Sequence, residues 1–291
     1  MKTPIRFLMC APDAFDVSYV INPWMEGNLN QSSREAAAAQ WQTLRAALAS
    51  RAQVELIAPQ AGLPDMVFTA NGGLIHGNAV VLARFRHAER QGEENHFKNW
   101  FLEHGFVVYE LPKTMLFEGA GDALLDREGR WLWAGHGFRS ELDSHVFLAK
   151  WLDLEVLSLR LVNHRFYHLD TCFCPLADGV LLYYPAAFDV NSNRLIENHV
   201  PRAKRIPVSD ADAMTFACNA VNVDDAVFLN QASTDLKERL RASGFNVIET
   251  PLSEFMKSGG GAKCLTLRLD EPVCHAVVQG ALSASQWRRA S

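Results

Sequence analysis

Hydrophobic and polar positions follow the same pattern four times along the chain. A polar residue precedes a short apolar stretch, a turn follows, and a second apolar stretch continues, as in TANGGLIHGNAVVLARF with its turn HGN. Two apolar runs joined by a short turn containing Gly, Asn or Asp are typical of β-hairpins. The polar residues that begin these predicted hairpins recur at intervals of about 50 residues, at Asn71, Asp122, Asp170 and Asn219.

Helical patterns separate the hairpins. Residues 33–51 are rich in alanine and begin at Ser33, a residue type that favours the N-cap of a helix. Three further segments, 95–105, 140–154 and 233–244, also have a helical pattern, and two of them end on Gly, a common C-cap. Because a short apolar strand follows each helix, the unit is predicted to be β-β-α-β, repeated about five times.

Five such units are predicted to form one domain, residues 1–291, because one unit cannot bury its own apolar face. Closing the units into a ring removes exposed sheet edges. The strand in RFLMCAP, residues 6–12, is predicted to pair with the strand that follows Cys264. The polar residue of each unit, together with Cys264 in the last one, is then predicted to face a central channel.

Composition excludes several classes of function. The chain has 291 residues, 48% of them hydrophobic, and a net charge of −5, so it lacks the basic surface of a nucleic-acid-binding protein. Its apolar runs are too short to cross a membrane, and MKTPIRFLMCAPDAF lacks the apolar core of a signal peptide. Six cysteines in a chain of this length favour reduced thiols and a cytoplasmic protein.

Cys264 is the candidate nucleophile. It follows three glycines and occupies the repeat position where the other units carry Asn or Asp. A glycine run allows backbone to approach a ligand closely, although an inert buried cysteine is the alternative interpretation. Cys10, Cys218 and Cys274 have no such setting and are predicted to be core residues.

His168 and Asp170 are two residues apart in YHLDTCFC, and on a strand they would project from the same face. A histidine beside a thiol can transfer protons near neutral pH. A hydrogen-bonded core histidine is one alternative. A zinc site is another, with the candidate ligands His164, His168, Cys172 and Cys174, but their C-x-C spacing differs from that of common zinc sites.

Carboxylates near these residues indicate a cationic substrate. Glu118 and Asp122 are the first and last residues of EGAGD, and Asp65 lies six residues before Asn71 in PDMVFTANGG. Paired carboxylates accept the planar donors of a guanidinium group well. Helix caps and turn formers are the alternative for any one of these acids.

The segments PDMVFTANGG, EGAGD, GHGFRS, HLD and GGGAKC, in this order, resemble the guanidine-modifying superfamily of arginine deiminases, dimethylarginine dimethylaminohydrolases and amidinotransferases. The resemblance covers nearly the whole chain. The opening MCAPDAFDVSYVINPWMEGN is most similar to the catalytic domain of arginine dihydrolases. The resemblance implies an α/β fold, a five-bladed α/β-propeller (pentein) of pseudo-fivefold ββαβ repeats.

The resemblance also implies roles for the catalytic residues. Cys264 matches the nucleophile and His168 the general acid and base. Glu118 matches the acid that pairs with the guanidinium and steadies the histidine. The family chemistry needs no metal and no organic cofactor.

The substrate-binding residues implied by the resemblance fall into three groups. Asp65 and Asp170 match carboxylates that bind the guanidinium, Arg90 and Arg139 match residues that hold the α-carboxylate, and Asn22 matches a pocket-lining position. Asn71 stands where arginine deiminases carry Asp. This change removes a negative charge and favours processing of a ureido intermediate a second time.

The expected activity is hydrolysis at the guanidinium carbon of arginine or a close derivative. Ammonia leaves through a covalent thiouronium intermediate, and citrulline, ornithine or both are released. A dimethylarginine dimethylaminohydrolase, an amidinotransferase and a non-catalytic arginine-binding protein remain alternatives. The expected partner is a small guanidino molecule rather than nucleic acid or membrane, and a homo-oligomer is compatible with the sequence.

Overall fold

Each repeat of the sequence folds into a three-stranded sheet with a helical connection. The computed structural model describes residues 4–271, so Cys274 lies outside the described residues. Three strands form each of the five sheets in the described chain. The strands are β1 (Arg6–Cys10), β2 (Gln53–Ile57), β3 (Gly73–His76), β4 (Ala79–Leu82), β5 (Val107–Tyr109), β6 (Ala123–Leu125), β7 (Leu132–His136), β8 (Val156–Arg160), β9 (Phe173–Pro175), β10 (Leu181–Tyr183), β11 (Arg205–Pro207), β12 (Val221–Val223), β13 (Ala226–Leu229), β14 (Asn246–Glu249) and β15 (Leu267–Arg268).

Helices connect the middle strand of each sheet to its third strand. The α-helices are α1 (Arg34–Ala49), α2 (Ala88–Gln91), α3 (Glu93–Glu103), α4 (Leu142–Leu152), α5 (Val190–His199), α6 (Asp210–Met214), α7 (Thr234–Ala242) and α8 (Ser253–Met256). Short 3-10 helices span Pro12–Ala14, Pro64–Val67, Thr69–Gly72, Gly119–Gly121, Leu169–Thr171, Ala177–Gly179, Pro185–Ala187 and Arg202–Lys204.

The strand order is the same in every sheet. The middle strand pairs antiparallel with one neighbour and parallel with the other, as β4 does with β3 and β5. A parallel pair needs a long crossover, which the intervening helix supplies. The structure therefore confirms the predicted β-β-α-β unit.

The fifth sheet joins the two ends of the described chain. β15 pairs antiparallel with β1, with Leu267 opposite Leu8, and β2 pairs with β1 on its other side. The predicted pairing of residues 6–12 with the strand after Cys264 is confirmed. That strand is shorter than the alternating sequence suggests, because Leu265 and Thr266 donate to backbone carbonyls of helical turns rather than to a neighbouring strand.

The helix predicted from Ser33 shows why its sequence folds as it does. The Ser33 side chain accepts a hydrogen bond from the Ala36 amide at 3.2 Å and caps α1. Its buried residues, Ala37, Trp41, Leu44 and Leu48, recur at helical spacing and pack on the core. α5 was not among the predicted helices, although Asp189 caps it by accepting from the Ser192 amide at 2.8 Å.

The repeats share buried apolar residues. One cluster contains Leu124 of β6, Phe173 of β9 and Val227 of β13, which belong to three different sheets. Burial across sheets gives each unit the partner that its own apolar face lacks. Among residues 4–271, no helix is both long enough and apolar enough to cross a bilayer.

The positions of the repeated polar residues differ from the prediction. Asn71 and Asp170 lie in the 3-10 helices Thr69–Gly72 and Leu169–Thr171, and Asp122 follows the 3-10 helix Gly119–Gly121. The placement of His168 and Asp170 on one strand face is therefore wrong. A 3-10 helix precedes the first strand of each of these three sheets and sets the directions of the Asn71, Asp122 and Asp170 side chains.

Candidate active site

One cavity of about 260 Å³ brings together most of the predicted site residues. Seven of the nine line it, namely Asn22, Asp65, Asn71, Arg90, Arg139, His168 and Cys264. Glu118 and Asp170 lie directly behind its wall, in contact with His168 and Cys264. A second cavity of about 440 Å³ is lined by Arg127, Lys263 and Glu271 among others and shares no lining residue with the first. The smaller cavity holds the thiol and the imidazole and is the candidate active site.

The Cys264 thiol is buried and held by two side chains. Asn219 accepts the Cys264 amide hydrogen at 3.2 Å and donates its own amide hydrogen to Sγ at 3.1 Å. The thiol donates to Asp170 Oδ2 at 3.4 Å. Burial, and secondly the charge of Asp170, raise the pKa of Cys264 well above its ordinary value. The thiol is therefore neutral until a ligand changes its surroundings.

His168 has one ring nitrogen bound and one left for chemistry. Its Nε2 lies 2.6 Å from Glu118 Oε2, and both side chains are buried. An ionised carboxylate only accepts hydrogen bonds, so Nε2 carries the hydrogen. No described residue hydrogen-bonds to Nδ1 in the structure of residues 4–271. This nitrogen is the one available for proton transfer.

Glu118 is surrounded by donors from the protein. Oε2 also accepts from Arg139 Nη1 at 3.1 Å, and Oε1 accepts from the Arg86 amide at 3.1 Å. Burial opposes its ionisation, but Arg139 and His168 outweigh burial and hold the pKa of Glu118 well below its usual range. The structure thus places an ionised Glu118 behind His168 rather than on the cavity wall.

Asp122 supports this arrangement from one layer further out. The sequence predicts that it faces the channel, but its oxygens instead accept from Ser140 Oγ at 2.6 Å and from the Leu169 amide at 3.0 Å. Ser140 Oγ in turn receives the Glu118 amide hydrogen at 2.9 Å. Burial raises the pKa of Asp122 to about 6.

Arg90 lies on the cavity wall with most of its donors engaged. It forms a bidentate ion pair with Glu93, at 2.9 Å from Nε and 2.8 Å from Nη2. Its Nη1 donates to Asn71 Oδ1 at 2.9 Å, and Nη2 also donates to the Asp65 carbonyl at 3.1 Å. These contacts engage four of its five N–H groups.

Arg139 keeps more donors available toward the cavity. Beside its bond to Glu118, Nη2 donates to the Ile21 carbonyl at 2.9 Å, and the guanidinium lies 4.6 Å from the Tyr167 ring centre. The bonds it makes within residues 4–271 engage two of its five N–H groups. Arg139 can therefore bind an anionic group with its remaining donors.

Asp65 is oriented by two residues that the sequence did not identify. Tyr19 donates to Oδ2 at 2.9 Å and Ser258 donates to Oδ1 at 3.0 Å. Asn22 holds Ser258 in place, because its Nδ2 donates to the Ser258 carbonyl at 3.1 Å. These contacts join distant segments, so no local sequence signal could have revealed them.

The three glycines before Cys264 are required by neighbouring side chains. Gly259 has a φ of +84°, and a Cβ there would lie 2.7 Å from the Tyr167 hydroxyl. A Cβ on Gly260 would overlap the Phe68 ring, and one on Gly261 would lie 2.9 Å from Asn219 Oδ1. The glycines therefore allow close approach to the protein itself, where the sequence suggested room for a ligand.

Asn219 belongs to the site although the sequence did not assign it a role. Its two bonds to Cys264 fix both the backbone and the sulfur of the candidate nucleophile. The signal was present, since Asn219 occupies the repeat position shared with Asn71 and Asp170.

The candidate zinc ligands do not converge. Cys172 Sγ contacts the Leu169 carbonyl at 3.5 Å, and Cys174 Sγ contacts the Ala220 carbonyl at 3.3 Å. His164 instead packs against the Phe138 ring. Across the described residues 4–271, no three His, Cys, Asp or Glu side chains are grouped as metal ligands.

Comparison with known proteins gives consistent matches over most of the chain. The family model for N,N dimethylarginine dimethylhydrolase, eukaryotic, matches residues 19–270. The bifunctional arginine dihydrolase/ornithine cyclodeaminase AgrE of Nostoc sp. is 66% identical over 94% of this chain and 39% of its own length. The N(G),N(G)-dimethylarginine dimethylaminohydrolase of Mycobacterium tuberculosis is 40% identical over 91% of this chain and 85% of its own length.

A solved structure matches the fold closely. The substrate-bound C264S mutant of the N-terminal domain of ArgZ, an arginine dihydrolase from Cyanobacteria, superimposes with a TM-score of 0.92 at 64% identity. The match covers 92% of this chain and 99% of that domain. The chain spans about two fifths of the length of the bifunctional relatives that it matches.

Proposed function

The chain belongs to the N,N-dimethylarginine dimethylhydrolase family, and from that membership and the geometry of the cavity we propose that it is a cysteine-dependent arginine dihydrolase. The reaction is hydrolysis at the guanidinium carbon of arginine, with ammonia released. The observation that carries the proposal is the Cys264 thiol beside Asp170, in the same cavity as a His168 ring whose Nδ1 is unengaged by residues 4–271. The relationship to AgrE and ArgZ supports arginine as the substrate.

A guanidinium ion suits the charges of this cavity. The buried Asp65 carboxylate lines the cavity and the buried Asp170 carboxylate lies behind its wall against Cys264, so a planar cation in the cavity offsets the cost of burying these negative charges. Arg139, with its unengaged donors, holds the α-carboxylate at the other end of the substrate. Binding the cation also lowers the pKa of Cys264, because the positive charge of the substrate offsets the effect of the Asp170 charge on the sulfur.

The proposed chemistry begins with attack of Cys264 Sγ on the guanidinium carbon. The thiol proton passes to His168 Nδ1, which then gives it to the leaving nitrogen, and ammonia departs. A thiouronium remains bound to the sulfur. His168 next takes a proton from water as the water oxygen bonds to the carbon. The C–S bond breaks, the sulfur takes the hydroxyl proton of the adduct, and citrulline and the free thiol result, while His168 releases its proton to solvent or to the departing ammonia.

The neutral side chain of Asn71 favours a second hydrolysis over the release of citrulline. Its side chain is neutral and buried, with Oδ1 on Arg90 and Nδ2 donating to the Glu118 carbonyl at 3.3 Å. A carboxylate at this position would have only Arg90 as a cationic partner once the substrate becomes a neutral urea. Since the buried Glu93 already offsets the charge of Arg90, one negative charge would remain uncompensated in a buried site, which is costly. The amide avoids this cost, so the urea stays bound and is hydrolysed to ornithine, carbon dioxide and ammonia.

The proposal also includes the closure of the fold and its organisation as one domain. The five sheets are the blades of a closed five-bladed α/β-propeller of pseudo-fivefold ββαβ repeats, and residues 1–291 form one catalytic domain around its axis. The pairing of β1 with β15 supports closure, since it places the first and last units in one sheet. The high similarity to a separate N-terminal domain of ArgZ supports a single domain.

Mass spectrometry of the products from L-arginine tests the proposed function. The purified protein is incubated with L-arginine, and citrulline, ornithine and ammonia are quantified over time. Ornithine with two ammonia molecules per turnover supports a dihydrolase. Citrulline alone contradicts a second hydrolysis, and unconsumed arginine contradicts the proposal as a whole. Asn71→Asp, nearly equal in volume, should shift the product toward citrulline.

Dimethylarginine hydrolysis is the second candidate. The family model and the relative from Mycobacterium tuberculosis favour it. Release of dimethylamine from asymmetric dimethylarginine, at a higher kcat/KM than ammonia release from arginine, would replace the first proposal by this one.

A further inference from the structure

Glu93 is a buried carboxylate one layer behind the cavity. It lies at the start of α3, is fully buried, and does not line the cavity. Both of its oxygens accept from the Arg90 guanidinium, at 2.9 and 2.8 Å. Burying a charge in this way is costly unless it is paired, so the pair must hold both groups in one geometry.

The geometry of this pair determines where Arg90 directs its remaining donors. With Nε and Nη2 fixed on Glu93, the planar guanidinium presents Nη1 to Asn71 Oδ1 at 2.9 Å. The plane also lies 4.4 Å from the Phe85 ring centre, which restricts rotation. Arg90 therefore has one orientation, and Glu93 sets it.

Asn71 depends on this orientation because its amide has two chemically different ends. Arg90 binds Oδ1, which directs Nδ2 toward the Glu118 carbonyl. The space around the amide is closed on the other side, since a Cβ on Gly121 would overlap Nδ2. Without a fixed donor at Oδ1 the amide can turn over and exchange its oxygen and nitrogen.

We propose that Glu93 is a positioning residue for the reaction, acting through Arg90 to fix the direction of the Asn71 amide. The inference rests on the proposed function and extends it, since it gives Asn71, a residue of the cavity lining, a part in orienting arginine as well as the urea.

A double-mutant cycle between Glu93 and Asn71 tests the proposal. Initial rates of arginine consumption are measured for wild type, Glu93→Gln, Asn71→Ala and the double variant. Glu93→Gln alone should lower kcat/KM by roughly 10-fold or more, the order expected for a charge-assisted hydrogen bond. In the Asn71→Ala background the same change should cost less than about 2-fold, because the residue through which Glu93 acts is already missing.

Asp126→Asn is the matched control. Asp126 is also a buried carboxylate with a bidentate arginine partner, but that partner, Arg130, does not line the cavity as Arg90 does. Its substitution should lower the melting temperature without changing kcat/KM. If Glu93→Gln does not fold, Glu93→Asp, which keeps the charge but shortens the side chain, takes its place in the cycle.

The outcomes separate the two proposals. Equal fold-losses from Glu93→Gln in both backgrounds, or an unchanged kcat/KM in the single variant, overturn the role of Glu93. The cycle counts consumed arginine and does not depend on which product forms. A wild type that stops at citrulline therefore contradicts the dihydrolase proposal while leaving the cycle fully readable.

Discussion

Replacing Glu118 by glutamine removes one charge from a fully buried position at nearly constant volume. In the wild type, Oε2 accepts from both His168 and Arg139, and Oε1 accepts from the Arg86 amide. A glutamine can turn its oxygen toward only one of these sides. In either orientation, the amide NH2 of the glutamine faces an N–H donor of the protein, and neither group can accept a hydrogen bond from the other.

The size of the effect follows from this mismatch. Removing one partner of a buried ion pair typically costs about 3–5 kcal/mol, because the remaining charge is left without compensation. Here the remaining charge is Arg139, which is only 3% exposed. We expect Glu118→Gln to lower the free energy of unfolding by about this amount and to lower kcat by at least about 100-fold, since His168 loses its charged partner.

The assay is urea unfolding followed by tryptophan fluorescence, together with initial rates on arginine. Glu141→Gln is the control, because Glu141 pairs with Arg86 at 3.5 Å with both side chains more than a third exposed. An exposed pair contributes about 0–1 kcal/mol. Combining Glu118→Gln with Arg139→Met should recover much of the lost stability, since both buried charges are gone, but should not recover activity. A Glu118→Gln protein as stable as Glu141→Gln refutes the reasoning.

Two further predictions concern the cavity. Arg139→Lys keeps the charge beside Glu118 but loses the planar set of guanidinium donors. KM should therefore rise about 10-fold more for arginine than for agmatine, which has no α-carboxylate. Equal changes in KM for both substrates would show that Arg139 does not bind the carboxylate. Because burial and Asp170 raise the pKa of Cys264, iodoacetamide should label the Cys264 peptide of the ligand-free protein slowly, at a rate still rising with pH near about pH 9. Labelling that reaches its plateau below about pH 8 would contradict a neutral thiol.

The repeat could be predicted because its signals are local. Each hairpin has its turn residues and each long helix its cap, as Ser33 shows for α1 and Gly244, with a φ of +93°, shows after α7. Pairing of the first strand with the last followed from the need to remove sheet edges. α5 has the same kind of local cap at Asp189, which was overlooked.

The site could be predicted only as far as its residue types reveal chemistry. Cys264, His168 and the acids were identified, but period-2 spacing was the wrong guide to the directions of His168 and Asp170, because a 3-10 helix begins after His168 and contains Asp170. Tyr19 and Ser258 act through contacts with Asp65, which lies on a distant segment of the chain. Their sequence neighbourhoods contain nothing that indicates these contacts.

The most direct test of the central claim is the mass of the peptide containing Cys264 after rapid acid quenching during turnover of arginine. Covalent catalysis by Cys264 predicts that this peptide gains a mass equal to that of arginine minus ammonia, and that the Cys264→Ser protein shows no such gain. Turnover without any adduct on Cys264, or an adduct on Cys10 or Cys218 instead, would contradict covalent catalysis by this thiol.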